Sequence, residues 1–257
     1  MSKKWIFGVS VSALISITTP SIAGSLGDSS AASFNGFWLG AGGSYTYSTL
    51  NGDTNITQVS SVPSSNQYVL SNNILNHMAP IVNAGYYFTV NHDWMIGPKF
   101  LYKYIGQEQF DQTWSGTYQD GSYQSAGIRS KSMQNFYLLL SGGYQFDQWL
   151  VHAGVGPGWA NVDLQLNGSL LPATSLNATP INTTKSKTMI GGAGQVGFEY
   201  MLPHHFMVDI SYNFLATPET MLPNIIFQSS NGNYAKFSQR VNVVEQGINI
   251  TVNKYFG

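Results

Sequence analysis

Eight stretches of the chain alternate between large apolar side chains and small or polar ones, the period-two pattern of a strand whose two faces meet different surroundings. The first sets Phe37, Leu39, Ala41, Gly43, Tyr45 and Tyr47 against Trp38, Gly40, Gly42, Ser44 and Thr46. The second alternates Val82, Ala84, Tyr86 and Phe88 with Asn83, Gly85 and Tyr87. In the third, Trp94, Ile96, Pro98, Phe100, Tyr102 and Tyr104 form the apolar parity, while Lys99 and Lys103 fall on the other. Five more run over residues 136–146, 149–159, 190–200, 206–214 and 244–256. Tyrosines aside, the apolar parity of all eight holds two polar residues, Gln246 and Lys254. A charge at the middle of a bilayer costs about 2–4 kcal/mol, so a face this free of charge is expected of a lipid-facing wall. Lys254 lies near a strand end, where a long side chain can reach the interface.

A soluble β-sandwich also alternates, but its wet face should carry Lys, Glu, Asp and Thr freely. Here the second face is mostly Gly, Ser and Asn, as suits a narrow lumen filled by its own side chains. Aromatics gather at the strand ends. Phe88, Trp94, Phe146, Trp149, Tyr200, Phe206 and Phe256 would ring one interface, with Tyr47, Tyr104, Phe136, Trp159 and Phe214 at the other. Such girdles place amphipathic rings at headgroup level. Short connections at 89–93, 147–148 and 203–205 alternate with long ones at 48–76, 106–132, 163–187 and 216–240. The spacing predicts an eight-stranded antiparallel up-and-down barrel with three short periplasmic turns, four long extracellular loops and both termini in the periplasm.

Composition narrows the class further. Charged residues are 9% of the 257, against about 25% in an ordinary soluble domain, and mean hydropathy is close to neutral at −0.07. Neither a nucleic-acid binder nor a coiled coil has that balance. Cysteine is absent, which leaves no disulfide framework and no thiolate metal site. Residues 1–23 read as a secretory signal, with Lys3 and Lys4 before an apolar stretch and Ser21-Ile22-Ala23 at the cleavage point. The expected organisation is signal 1–23, a short periplasmic segment 24–35 and a barrel domain 36–257.

The opening Gly36-Phe37-Trp38-Leu39-Gly40-Ala41-Gly42-Gly43 and two strand-to-turn copies carry a resemblance. The copies are Leu140-Ser141-Gly142-Gly143-Tyr144-Gln145-Phe146 and Gly194-Gln195-Val196-Gly197-Phe198-Glu199-Tyr200. In these the chain resembles the OmpA-like and opacity-protein group of eight-stranded outer-membrane barrels over residues 36–257. The resemblance implies location in the outer membrane of a Gram-negative bacterium, insertion by the assembly machinery, and contact with lipid and lipopolysaccharide. That family typically ends on an aromatic residue, whereas Gly257 follows Phe256 here.

Chemistry concentrates on the inward parity. Lys99, Lys103, His152, Glu199, Asp209 and Glu245 all fall there, on several different strands. Buried charges must pair, so an interior polar network is expected, with Asn83, Gln195, Asn213 and Asn249 as neutral members. A static plug is the expectation, and a gated pore whose salt bridges exchange partners is the alternative. No catalytic constellation, cofactor site or metal site is expected. The loops carry aromatics among polar residues: Phe110, Trp114, Tyr118 and Tyr123 in the second, Tyr234 and Phe237 in the fourth. Rigid aromatics on polar loops suit recognition, and they equally suit hairpins packing against one another above the membrane. Arg129, Lys131, Lys185, Lys187, Lys236 and Arg240 are placed to meet lipopolysaccharide phosphates. The expected function is therefore a monomeric surface antigen or adhesin with a host or environmental ligand. An envelope-stabilising barrel and a narrow channel are the alternatives.

Overall fold

The computed structural model describes residues 34–59, 64–69, 73–91, 93–117, 123–171, 179–222, 224–228 and 234–256. The signal and most of the segment before the barrel lie outside them. Eight long strands follow one another: β1 (Gly36–Val59), β2 (Asn73–Asn91), β3 (Trp94–Thr117), β4 (Tyr123–Phe146), β5 (Trp149–Leu171), β6 (Thr179–Leu202), β7 (Phe206–Ala216) and β8 (Tyr234–Phe256). Each pairs antiparallel with its sequence neighbours, and β8 returns to β1 to close the barrel. Closure leaves no open backbone edge inside lipid, the condition for crossing a membrane with strands. No helix among the described residues is long and apolar enough to span one.

Burial follows the sequence parity. Trp38, Ser44, Thr46, Asn83, Lys99 and Leu139 are buried, while Phe37, Leu39, Val82, Phe100 and Leu138 beside them are exposed. Both polar residues of the outer face have partners. Gln246 Oε1 accepts a hydrogen bond from the Tyr212 hydroxyl at 2.6 Å. Lys254 Nζ donates to the His204 carbonyl oxygen and lies 4.6 Å from the Phe206 ring centroid. Aromatic pairs mark the turn end of the outer face, with ring centroids 4.6 Å apart for Trp149–Tyr200 and 5.3 Å for Trp94–Tyr144.

The turns are tight. Asp147, in the two-residue connection between β4 and β5, has φ 53°, and His204 and His205 between β6 and β7 have φ 64° and 62°. Asp and His are among the side chains that tolerate this left-handed region best. Inside, the lumen is too narrow for side chains at every position. A Cβ on Gly40 would sit 1.6 Å from Asn253 Oδ1.

At the other end the strands run further than the alternating stretches predict. Six of the eight have 23 or 24 residues, whereas about 9–11 suffice to cross a bilayer. Most of the residues expected in four long loops are therefore strand. Above the upper aromatics the wall is no longer a ring. Pairing of β2 with β3 ends at Ile81↔Lys103, and pairing of β6 with β7 ends at Gly192↔Ala216. Beyond those points two sheets continue. One is β3–β4–β5–β6, paired as far as Thr117↔Tyr123 and Leu170↔Thr179. The other has β1 and β8 at its centre, flanked by Ser64–Val69 on one side and by Thr220–Met221 and Ile225–Gln228 on the other. Two local features fall here: Pro80, beside the last paired residue Ile81, has no N–H, and β3 carries an irregularity between Tyr104 and Glu108 around Gly106, whose φ is 81°.

Candidate functional site

The six inward residues singled out above are all buried, and the fold gathers them into two clusters. The first lies toward the turn end. Glu199 on β6 and Asp209 on β7 are directly opposite each other in the ladder. Like charges in that relation repel. From across the lumen, β3 delivers Lys99, whose Nζ is 2.7 Å from Asp209 Oδ2 and 3.6 Å from Glu199 Oε1. From β5 comes His152, its Nε2 3.4 Å from Asp209 Oδ1 and 3.6 Å from Glu199 Oε1. Tyr87 donates its hydroxyl to Glu199 Oε1 at 3.4 Å, and the Lys99 ammonium lies 5.2 Å from the Trp38 ring centroid.

The second cluster contains one acid and one base. Lys103 Nζ donates to Glu245 Oε1 at 2.7 Å, to Asn213 Oδ1 at 3.1 Å and to Thr46 Oγ1 at 3.3 Å. Glu245 also accepts from the Tyr137 hydroxyl at 2.6 Å and from the Asn135 amide, while Asn213 Nδ2 donates to Tyr137 at 3.1 Å. Among the other neutral members, Asn83 Nδ2 donates to Thr251 Oγ1 at 3.1 Å and Gln195 Nε2 to Ser211 Oγ at 2.8 Å. Asn249 is buried on the same inner face.

The sequence reading places Trp38, Thr46 and Tyr87 on the inward face without assigning them to the network, and it does not name Asn135 or Tyr137. All sit on the inward parity, so the signal was present. Aromatic rings on that face offer hydroxyls and ring faces to buried charge, a role that the alternation itself does not specify.

Apolar layers flank the two clusters. At the turn end Phe34, Trp38, Tyr87, Met95, Leu150, Met201, Met207 and Tyr255 form one buried cluster, with Phe34 edge-on to Tyr255 at 6.0 Å. At the other end Leu50, Ile105, Val162, Met189 and Val243 are buried beyond Lys103 and Glu245, with the buried Thr217 bonded to Val243 among them and Leu215 opposite Glu245 in the ladder. The chemistry this core performs is mutual neutralisation. His152, Glu199 and Asp209 offer ligand atoms within 4.8 Å of one another, but the Lys99 ammonium is the cation at that place.

Five of the six aromatics expected on loops lie in strands. Phe110 and Trp114 are in β3, Tyr123 begins β4, and Tyr234 and Phe237 are in β8. Tyr118 lies outside the described residues. The reason is the continued backbone pairing, which turns the loop bases into hairpins. The first three belong to the β3–β6 sheet and the last two to the β1–β8 sheet. Lys187 pairs with the fully buried Val162 and so shares the inner face at the mouth.

A closed antiparallel barrel, apolar outside and filled inside by paired polar side chains, is a transmembrane β-barrel. The chain belongs to the outer membrane protein β-barrel domain family, which it matches over residues 10–243. Among solved structures it is similar to Ail, the attachment invasion locus protein of Yersinia pestis, with 11% identity over 79% of this chain and 98% of that one and a TM-score of 0.32. It is similar also to OprG from Pseudomonas aeruginosa, with 11% identity over 86% of this chain and 97% of that one and a TM-score of 0.45. Neisserial surface protein A gives 13% identity over 86% and 98%, with a TM-score of 0.31. No curated protein sequence matches the chain.

Proposed function

We propose that the protein is a surface adhesin or antigen of a Gram-negative outer membrane, with its two sheet extensions outside the cell and its short turns and termini in the periplasm. The observation that carries this reading is strand length. Strands of 23 or 24 residues continue well beyond what a bilayer requires, and the surplus is ordered as paired sheet. Phe110, Trp114 and Tyr123 belong to that surplus, as do Tyr234 and Phe237. Large rigid side chains on a preordered scaffold give contact area at low conformational cost. The ligand is a host or environmental macromolecule, with lipopolysaccharide a neighbour to the basic residues at the rim. Two apolar layers in series with the polar core weigh against the channel alternative.

Display on a non-adhesive laboratory bacterium tests the proposal, with adherence to host cells compared between the full barrel and one lacking residues 107–129. Folding and display of both are verified by the mobility shift between unboiled and boiled samples and by surface labelling. Adherence that disappears with the hairpin supports the reading. A displayed, folded parent that does not adhere overturns it in favour of an envelope-structural role.

A further inference from the structure

The two interior clusters differ in their charge count. In the second, Lys103 balances Glu245, and Glu245 has donors on both oxygens: Lys103 and Tyr137 on Oε1, Asn135 on Oε2. The first sets two acids, Glu199 and Asp209, against one lysine, Lys99. These three side chains, and His152 beside them, are at most 1% exposed.

The groups facing the first cluster come from all eight strands. β2 brings Tyr87, β3 Lys99, β5 His152, β6 Glu199, β7 Asp209 and β8 Tyr255. β1 and β4 bring Trp38 and Ser141, which do not titrate. A phenol is neutral or negative, so neither tyrosine can offset a negative charge. The nearest other cation along the lumen, Lys103, is bound to Glu245 at 2.7 Å. With both acids ionised and His152 neutral, the cluster would carry one buried negative charge. Burying a lone charge is so costly that a group in that position takes up a proton instead.

The two acids are not equivalent. Asp209 Oδ2 is 2.7 Å from the Lys99 ammonium, and its Oδ1 is 3.4 Å from His152 Nε2. Glu199 has only longer contacts, all on Oε1: 3.4 Å to the Tyr87 hydroxyl and 3.6 Å to both Lys99 and His152. Among the described residues its Oε2 has no hydrogen-bond partner. Lys99 is thus matched to Asp209, and Glu199 is the surplus acid, next to the one basic group that remains.

We infer that Glu199 and His152 form a proton-binding site inside the barrel, holding between them one proton that makes the folded cluster neutral. The site is a pH-sensitive lock. While the proton is held, the cluster ties β2, β3, β5, β6 and β7 together across the lumen; its loss strands a negative charge there. Unfolded histidine and glutamate have ordinary pKa values of about 6.5 and 4.3, so by about pH 7.5 an unfolded chain has released this proton. The folded barrel then binds more protons than the unfolded one, and stability falls as pH rises until the cluster itself gives the proton up. The inference does not depend on the proposed function.

The test is urea unfolding of the full barrel in detergent micelles, followed by gel mobility from about pH 7.5 to about pH 9, where ordinary carboxylates, lysines and tyrosines largely keep their charge. The folding equilibrium constant of the parent is expected to fall about tenfold per pH unit, the response to one proton. Glu199→Gln and Asp209→Asn each leave Lys99 with a single acid, so each should give a flat profile over the same range. Either variant suffices if the other fails to fold. Unfolding of the parent at about pH 8 should also release about one proton, read with an indicator dye, and this needs no variant. A flat parent profile, a slope that persists in the amide variants, or the absence of proton release overturns the inference.

Discussion

Glu199 and Asp209 occupy directly opposed positions on adjacent strands, and Lys99 reaches both from the far side of the lumen, at 3.6 and 2.7 Å. A like-charge pair on one ladder is thus held by a third strand that is not its neighbour in the sheet. Removing the lysine leaves two buried carboxylates facing each other with only His152 and Tyr87 beside them. Lys99→Met is therefore expected to cost about 3–5 kcal/mol, and more than Asp209→Asn, which relieves the repulsion as it removes a partner. Urea unfolding in micelles, followed by gel mobility, ranks the two. An Asp209→Asn midpoint below that of Lys99→Met would contradict this account.

The second cluster is balanced one to one, so its response should differ. Lys103→Met alone strands Glu245 and is expected to cost about 3–5 kcal/mol. Adding Glu245→Leu removes the stranded charge and should return the unfolding midpoint part of the way to the parent. Recovery stays partial because Tyr137, Asn135 and Asn213 lose their shared partner. A double variant no more stable than the single would show that the neutral groups, rather than the charges, dominate.

On the outside, the Tyr212 hydroxyl donates to Gln246, which is level with Tyr47 and Phe214 at the upper aromatics. Tyr212→Phe should cost about 0.5–1.5 kcal/mol by removing that hydrogen bond. Gln246→Leu placed in that background should restore the loss, since no polar group then remains. Folding equilibria in lipid vesicles would measure both steps.

Ion conduction would need a water path through two apolar layers as well as the charged core. No unitary conductance is expected in a planar bilayer from the parent or from Lys99→Ala, because that change opens neither layer. Openings of defined size in the parent, altered by Lys99→Ala, would instead establish the salt bridges as a gate.

The barrel was legible in the sequence because lipid imposes one rule on every outward residue. Phe37, Val82, Phe100, Leu138 and Val155 alternate with small or polar neighbours, and each is exposed in the fold. The interior charges followed from the same parity, since Lys99 and Asp209 could only point inward. What parity does not encode is who meets whom across the lumen, because β3 and β7 are not adjacent. The strand extensions were hidden for a different reason. Above Tyr104 the apolar member of the alternation is no longer kept, and the irregularity around Gly106 breaks the count. Backbone pairing holds those hairpins together and leaves little trace in side-chain pattern. The apolar layers were masked too, since Met95, Leu150, Met201 and Met207 look like imperfections in a polar face until the turn end is seen whole.

The pairing of the first strand with the last runs from Phe37↔Phe256 to Val59↔Tyr234 without a break. Its members are far apart in the chain: Thr49 Oγ1 donates to the carbonyl of Val244, 195 residues away. The closing ladder therefore cannot form until almost the whole polypeptide has been synthesised and exported. Until then two long strand edges remain open, one at each end of an incomplete sheet whose lipid-facing side chains are exposed to water. Such an intermediate is prone to aggregate, and distant contacts are slow to form because their loop entropy is lost before they stabilise anything. Folding of this chain is thus a problem of custody, in which the ends must be kept from other partners until they meet.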